Sequence, residues 1–175
     1  MKQKTTKHQL LAAMISLMIG SGTVLAAGNL ISEVEPGLTA EQYAGKSVEL
    51  IGNAEAAYPT AYADFPIWNQ AIANAEAALQ ADPTNIKYTR MLAMLYVKTQ
   101  WWSRAMTNFD QLEALNGLDP EAITVAAFVA RRLGVLAIDR GDNTQAAEYF
   151  ERSLALESNP ITLALLERTT VFLGF

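Results

Sequence analysis

The sequence contains 175 residues, with 18 acidic and 13 basic side chains and a formal net charge of −5. It has no cysteine, and its single histidine is His8. These absences exclude disulfides, thiol chemistry, histidine-assisted nucleophiles and ordinary zinc sites beyond the first few residues, so we expect no metal and no other cofactor. An acidic chain is also a poor partner for nucleic-acid phosphates, which lysine and arginine must neutralise.

The first 26 residues have the pattern of a secretory signal. Three lysines precede an apolar stretch over residues 10–19, and a run of small residues ends with Ala26, the expected cleavage position. The alternative is an uncleaved membrane anchor, because residues 10–27 almost reach the roughly 18 to 20 apolar residues that a span requires. Cleavage would remove three lysines and no acid, which leaves a net charge near −8 and a protein in the periplasm or cell envelope.

A leader and the first helix follow the signal. Residues 27–38 show no sustained period and include a Pro-Gly turn pair, so we expect a flexible leader. Thr39 and Gln42 have the spacing of a capping box, which predicts a first helix that begins there and runs to about Ala57. The helical domain should therefore cover residues 39–175.

The next segments read as an aromatic loop and three helices. Residues 58–65 form the loop, which we expect to tuck against the domain or, alternatively, to contact a ligand or partner. Asp64 is expected to cap a second helix that ends at Asp82-Pro83. Apolar residues at helical spacing predict a third helix over residues 85–99 and a fourth over 103–115.

The rest of the chain also reads as helices. Asp119-Pro120 should begin a long fifth helix to about Asp139, because proline is tolerated in a first turn. A tight turn separates it from a sixth helix over residues 144–156, and an apolar final helix covers residues 161–173. No stretch alternates as a strand does, and no glycine-rich phosphate loop follows a strand, so the sequence predicts an all-α fold.

The predicted helical pairs repeat one another. Large and small residues recur at the same or nearly the same offsets as Leu92-Ala93, Tyr96, Ala105, Phe109 and Leu112, as Leu133-Gly134, Ala137, Ala146, Phe150 and Leu154, and in part as Ile51-Gly52, Ala71, Ala75, Ala78 and Pro83. This pattern resembles the tetratricopeptide (TPR) repeat, here of an exported type. The resemblance implies stacked antiparallel helical hairpins, with about three repeats and a C-terminal capping helix.

The resemblance also implies a partner-binding groove along the first helices of the hairpins. The positions that face this groove in register with the family are Lys87, Arg90, Met94 and Lys98 in one repeat, and Phe128, Arg131 and Val135 in the next. Arg90 and Arg131 share one repeat position, where forked guanidinium groups could grip an acidic or C-terminal segment of a partner. The alternative is that these charges are solvated and paired with nearby acids.

Two adjacent tryptophans, Trp101 and Trp102, lie in the turn between the third and fourth helices. We expect one indole to enter the core and the other to be a candidate interface residue, because tryptophan is enriched in the buried centres of interfaces.

Together these features predict an exported protein-interaction scaffold or adaptor of the cell envelope rather than an enzyme. One alternative is a permanent structural subunit of an envelope, secretion or surface-layer complex, docked through its apolar C-terminal helix. Another is a glycan-cleaving enzyme with paired carboxylates, for which the candidate acids are Glu55, Asp64, Asp110 and Glu113. We expect membrane contact only if the N-terminal helix is uncleaved.

Overall fold

The computed structural model describes residues 34–173, with side chains up to Val171. This part of the chain contains seven α-helices and no strand, as the all-α prediction required. The helices are α1 Ala40–Ala57, α2 Pro66–Ala81, α3 Ile86–Lys98, α4 Trp102–Ala114, α5 Pro120–Asp139, α6 Asn143–Leu156 and α7 Pro160–Leu173. The predicted signal and most of the predicted leader lie outside the described residues.

Local capping signals fix most helix starts. The capping box of Thr39 and Gln42 is present at α1, and Asn85, Asp119 and Asp142 accept backbone N–H bonds at α3, α5 and α6. The predicted cap Asp64 is wrong. Phe65 occupies the cap position of α2 without a side-chain bond, and Pro66 takes the first helical position, where its missing N–H costs nothing.

Neighbouring helices pair as three antiparallel hairpins, α1 with α2, α3 with α4 and α5 with α6, and α7 packs on α6. The main core runs from α1 to α5 and contains Trp68, Phe109 and Leu112, each almost fully buried. A second, smaller cluster joins α5, α6 and α7 through Ala137, Ala146 and Phe150. Burying the shared faces of successive hairpins therefore holds the stack together.

The interlocking of small and large residues is clearest in the third hairpin. A Cβ atom on Gly134 would lie 2.5 Å from the nearest ring atom of Phe150, so only glycine allows this approach of α5 and α6. The predicted equivalent in α1, Gly52, is wrong, since this residue is exposed with nothing near its missing Cβ. The register of α1 is set instead by Ser47 and Ala54, which are both fully buried, and Ser47 donates a hydrogen bond to the Ala71 carbonyl of α2.

Ion pairs show that the stack has two layers. The second helices are linked along one layer, because Arg104 of α4 pairs with Glu76 of α2, and Arg152 of α6 pairs with Asp110 and Glu113 of α4. The first helices are linked in the other layer: Lys98 of α3 pairs with Glu55 of α1, and Arg90 of α3 pairs with Asp119 and Glu121 at the start of α5. First and second helices thus present separate surfaces.

The two segments around α1 both pack against the domain. Within the predicted leader, Glu35 accepts a hydrogen bond from the Tyr43 hydroxyl through its carbonyl and forms an ion pair with Lys46. In the aromatic loop, the rings of Tyr58 and Phe65 lie 4.8 Å apart and contact the main core. The loop is therefore the hydrophobic tuck that its composition suggested.

The final helix, α7, packs one of its faces on the third hairpin and leaves its other face exposed. Leu165 and Leu166 pack on the second cluster, whereas Ile161, Leu163 and Val171 remain 65%, 49% and 73% exposed. Among the described helices, none combines the length and apolar character that a membrane crossing needs.

Candidate interaction surface

The first-helix surface, which we define as the exposed and half-buried side chains of α3 and α5, carries all of the predicted groove residues. On α3, Lys87 and Lys98 are exposed, and Arg90 and Met94 are half-buried. On α5, Phe128 is 37% exposed, and Arg131 and Val135 are half-buried. These seven side chains differ sharply in their surroundings.

The cations of α3 are mostly neutralised within the chain. The Arg90 guanidinium binds Asp119 and lies 2.6 Å from a carboxylate oxygen of Glu121. The Lys98 ammonium binds Glu55 and lies 5.5 Å from the ring centre of Trp68. Among the described residues, Lys87 has no ion-pair partner. For α3, the structure thus favours the alternative of charges paired with nearby acids.

The cation of α5 has a different environment. Arg131 stands 41 positions after Arg90, at the same repeat position. Its guanidinium lies 5.7 Å from the ring centre of Phe128, and its one hydrogen bond to another described residue is a long one, 3.4 Å to the Thr162 hydroxyl. The two repeat-equivalent arginines therefore differ, since the described carboxylates pair with the first and not with the second.

Trp102 extends this part of the surface. Its ring meets Phe128 edge to face with 5.8 Å between centres, and the Arg132 guanidinium lies 5.6 Å from the Trp102 ring. We call Trp102, Phe128, Arg131 and Arg132 the Trp102 cluster. Arg132 was not among the predicted residues, although it lies four residues after Phe128, a spacing that puts two side chains on one helix face.

Trp101 belongs to a separate group. It stacks on Tyr96 with 5.7 Å between ring centres, and the Arg104 guanidinium lies 4.5 Å from the Trp101 ring. Arg104 donates a hydrogen bond of 2.9 Å to Glu76, which also accepts one from the Tyr96 hydroxyl. We call Glu76, Tyr96, Trp101 and Arg104 the Trp101 cluster. Burial, followed by the contact with Glu76, raises the pKa of the Tyr96 phenol above its usual range.

The expected division of the tryptophan pair into one core and one exposed indole is not observed. Trp101 and Trp102 are both half-buried, and both contact the edge of the main core. The almost fully buried indole is that of Trp68, at 1% exposure. Both members of the pair therefore keep part of their surface for contacts.

Three of the four candidate catalytic acids bind basic side chains of the same chain, and the fourth, Asp64, is exposed in the aromatic loop. Glu55 is bound by Lys98, and Asp110 and Glu113 share the guanidinium of Arg152. The Arg152 hydrogen bond lowers the pKa of Glu113, whereas a general acid needs a raised pKa. In the described residues, no group of three or more acidic side chains is placed to hold a metal ion.

No protein-family model and no curated protein matches this sequence. Solved structures resemble its backbone at low identity, among them the following three. The N-terminal domain of stress-induced protein-1 from C. elegans is 16% identical, with 77% of this chain and 99% of that chain covered and a TM-score of 0.49. The first TPR of Spaghetti, bound to an HSP90 peptide, is 18% identical, with 78% and 94% covered and a TM-score of 0.42. The Yersinia enterocolitica type III secretion chaperone SycD, in complex with a peptide of the translocator YopD, is 12% identical, with 75% and 92% covered and a TM-score of 0.42.

The fold assignment rests on the arrangement of the helices in this chain. Helices pair as antiparallel hairpins, equivalent positions of the second and third hairpins are 41 residues apart, and Gly134 of α5 leaves room for the ring of Phe150 of α6. The described chain is therefore a TPR-like stack of three helical hairpins closed by a capping helix.

Proposed function

We propose that this protein is an exported protein-interaction scaffold of the cell envelope that binds a segment of a partner protein on its first-helix surface. The observation that carries this proposal is the exposed Phe128 beside Arg131, for which the described chain provides no carboxylate. Aromatic and arginine side chains are the residue types that most often dominate protein interfaces. The secretory pattern of residues 1–26 supports an exported location.

The partner surface is best tested by site-specific cross-linking in living cells. A photoreactive amino acid would replace Lys87 or Phe128, one at a time, in the full chain. We expect discrete adducts with a partner protein, detected as shifted bands and identified by mass spectrometry. The matched controls are Arg140, exposed in the turn after α5, and Thr107, exposed on α4. Equal adducts from all four positions, or none from Lys87 and Phe128, would contradict the proposal.

The exported location has its own test. Cell fractionation should place the protein in the periplasm or envelope, and mass spectrometry of the purified protein should show an N-terminus at Ala27. A cytoplasmic protein that retains residues 1–26 would contradict this part of the proposal. An envelope protein that retains them would be a membrane-anchored scaffold.

A permanent structural subunit is the second candidate. It is favoured by the exposed apolar residues Ile161, Leu163 and Val171 of α7, because an apolar face of this kind on a small domain often marks a contact with another subunit. Native mass measurement on gently solubilised envelopes separates the candidates. A subunit should migrate wholly in a large complex of fixed mass, whereas an adaptor should be recovered mainly as a free chain.

A further inference from the structure

The Trp101 cluster shows which groups surround an arginine that lies over an indole ring in this protein. The Arg104 guanidinium lies 4.5 Å from the ring centre of Trp101, so the ring covers one of its faces. Its N–H donors lie at the edge of the guanidinium, and one of them binds the carboxylate of Glu76 at 2.9 Å. Charge-assisted bonds of this kind are about twice as strong as neutral ones. The arginine is thus satisfied on both its apolar face and its polar edge.

The Trp102 cluster also places arginines over aromatic rings, but it contains no carboxylate. Arg132 lies over Trp102 at 5.6 Å, Arg131 lies over Phe128 at 5.7 Å, and the two rings touch edge to face. Among the described residues, neither arginine has an acidic partner. The long bond from Arg131 to the Thr162 hydroxyl leaves most of its donors to water.

The missing carboxylate does not reflect a shortage of acidic side chains. The sequence has 18 acids against 13 basic residues. Five other cations of the described chain form ion pairs: Lys46, Arg90, Lys98, Arg104 and Arg152. Lys87, Arg140 and Arg168 also form no ion pair with a described residue, but all three are exposed. Arg131 and Arg132 are thus the half-buried cations of the described chain that lack an acidic partner.

The neighbours of Arg131 along α5 indicate which residue types should flank the acid in a ligand. Phe128, Arg131, Val135 and Ile138 are spaced three, four and three residues apart, so they form one stripe on the helix. Phe128 and Ile138 are 37% and 38% exposed, and Val135 is half-buried. Arg131 thus has apolar surface before it and after it along the same face.

We infer that the Trp102 cluster is completed by a partner's carboxylate, supplied by an aspartate or glutamate side chain with apolar residues on both sides. The apolar residues would cover Phe128 and the Val135 to Ile138 end of the stripe, and the acid would take the place that Glu76 takes in the Trp101 cluster. This inference rests on the proposed function, because it names the kind of segment that the first-helix surface binds.

Selection from random displayed peptides tests the inference without knowledge of the natural partner. The peptides are displayed internally, without a free C-terminus, and panned against the purified full chain. We expect enriched sequences to contain aspartate or glutamate between apolar residues. The double variant Arg131→Gln/Arg132→Gln should bind these peptides about tenfold more weakly or worse, as expected for the loss of charge-assisted bonds. Arg140→Gln, which removes an exposed cation near the end of the same helix, should bind them normally.

A comparison of two peptides on the unaltered protein avoids the question of how well a variant folds. In the best peptide, the acid is replaced by its amide, Glu→Gln or Asp→Asn. The two peptides should differ about tenfold in affinity for the unaltered protein and should be equal for the double variant.

The outcomes separate the inference from the proposed function. Enriched peptides without an acid, or a difference between acid and amide that persists in the double variant, overturn the inference and leave the binding surface standing. A requirement for a free terminal carboxylate, seen with C-terminally displayed peptides alone, also overturns it. If no peptide is enriched in either format, the proposed binding of a partner segment fails together with the inference.

Discussion

The contact between Gly134 and Phe150 shows how single residues set the spacing of this stack. Phe150 is fully buried, and three atoms of its ring occupy the space within 3 Å of where a Cβ on Gly134 would lie. A side chain there must displace the ring or push α5 away from α6. Packed interiors accommodate added atoms poorly, so one methyl group has a measurable cost.

We therefore predict that Gly134→Ala lowers the free energy of unfolding by about 1 to 3 kcal/mol, as overpacked cores do. Gly52→Ala is the matched control, since Gly52 lies in the interior of α1 with no atom within 4 Å of its missing Cβ. This control should raise stability by about 0.5 to 1 kcal/mol through its better helix propensity. Urea unfolding measures both. Equal midpoints for the two variants would show that the ring of Phe150 moves without cost.

Tyr96 gives a prediction for alkaline pH. Its folded pKa is raised by burial and by the bond to Glu76, whereas an unfolded tyrosine titrates near pH 10. A raised folded pKa contributes stability that is fully present below about pH 10 and is lost as pH rises above it. Tyr96→Phe removes this loss, so its unfolding free energy should fall less steeply above about pH 10 than that of the unaltered protein. Denaturant titrations at several alkaline pH values measure the slopes, and parallel slopes would contradict the assignment.

At the level of the helix, Asp119 joins two functions at the start of α5. One carboxylate oxygen caps the helix by accepting the Ala122 N–H at 2.9 Å, and the other binds Arg90 of the preceding hairpin. The same side chain therefore starts one helix and ties it to another.

Two substitutions at this position separate the roles. Asp119→Asn keeps an oxygen for the cap and loses the charge, whereas Asp119→Ala loses both. We predict a cost of about 0 to 1 kcal/mol for the asparagine variant, because the ion pair is partly exposed, and about 1 kcal/mol more for the alanine variant. Thermal or urea unfolding would measure the difference. If both variants lost the same stability, the cap would contribute nothing.

The helices were predictable where their signals are local, and the errors lie where packing decides. Thr39 and Gln42 satisfy each other within one turn, so their spacing alone identified the start of α1. Asp64 failed as a cap because the packed aromatic loop places Phe65 at that position. Gly52 failed as the small interlocking residue because the register of α1 depends on which of its faces meets α2, and that contact is not encoded in local spacing.

The same limit applies to the candidate site. Family register placed the seven groove residues on the first helices, but it could not show which cations are free. Arg90 is occupied because α5 begins early enough to bring Asp119 and Glu121 against α3. The contact of Trp102 with Phe128 depends on how α4 packs on α5, so the Trp102 cluster emerges only from the tertiary structure.

Considered as a whole, the molecule has an uneven core. The main cluster extends through five helices, whereas the second has three fully buried residues, Ala137, Ala146 and Phe150, supported by partly buried side chains. A segment held by few buried contacts can open while the remainder stays folded.

We predict that α6 and α7 exchange their amide hydrogens through an opening of lower free energy than α2, α3 and α4. Hydrogen exchange followed by mass spectrometry under native conditions measures this order. Gly134→Ala should speed exchange in α6 and α7, because its contact belongs to the second cluster. A single exchange free energy across all seven helices would instead indicate one cooperative unit.

The position at which α5 begins would also affect how a partner segment aligns along the repeats. A repeat protein with equivalent arginines in successive repeats offers an acidic segment two binding frames, one repeat apart, between which the segment can slip. Asp119 and Glu121 already occupy Arg90 within the chain, whereas no described carboxylate occupies Arg131. α5 begins 11 residues before Arg131, whereas α3 begins four residues before the equivalent Arg90. If the proposed function holds, these additional residues leave one of the two arginines available, so a bound segment would have a single alignment along the surface.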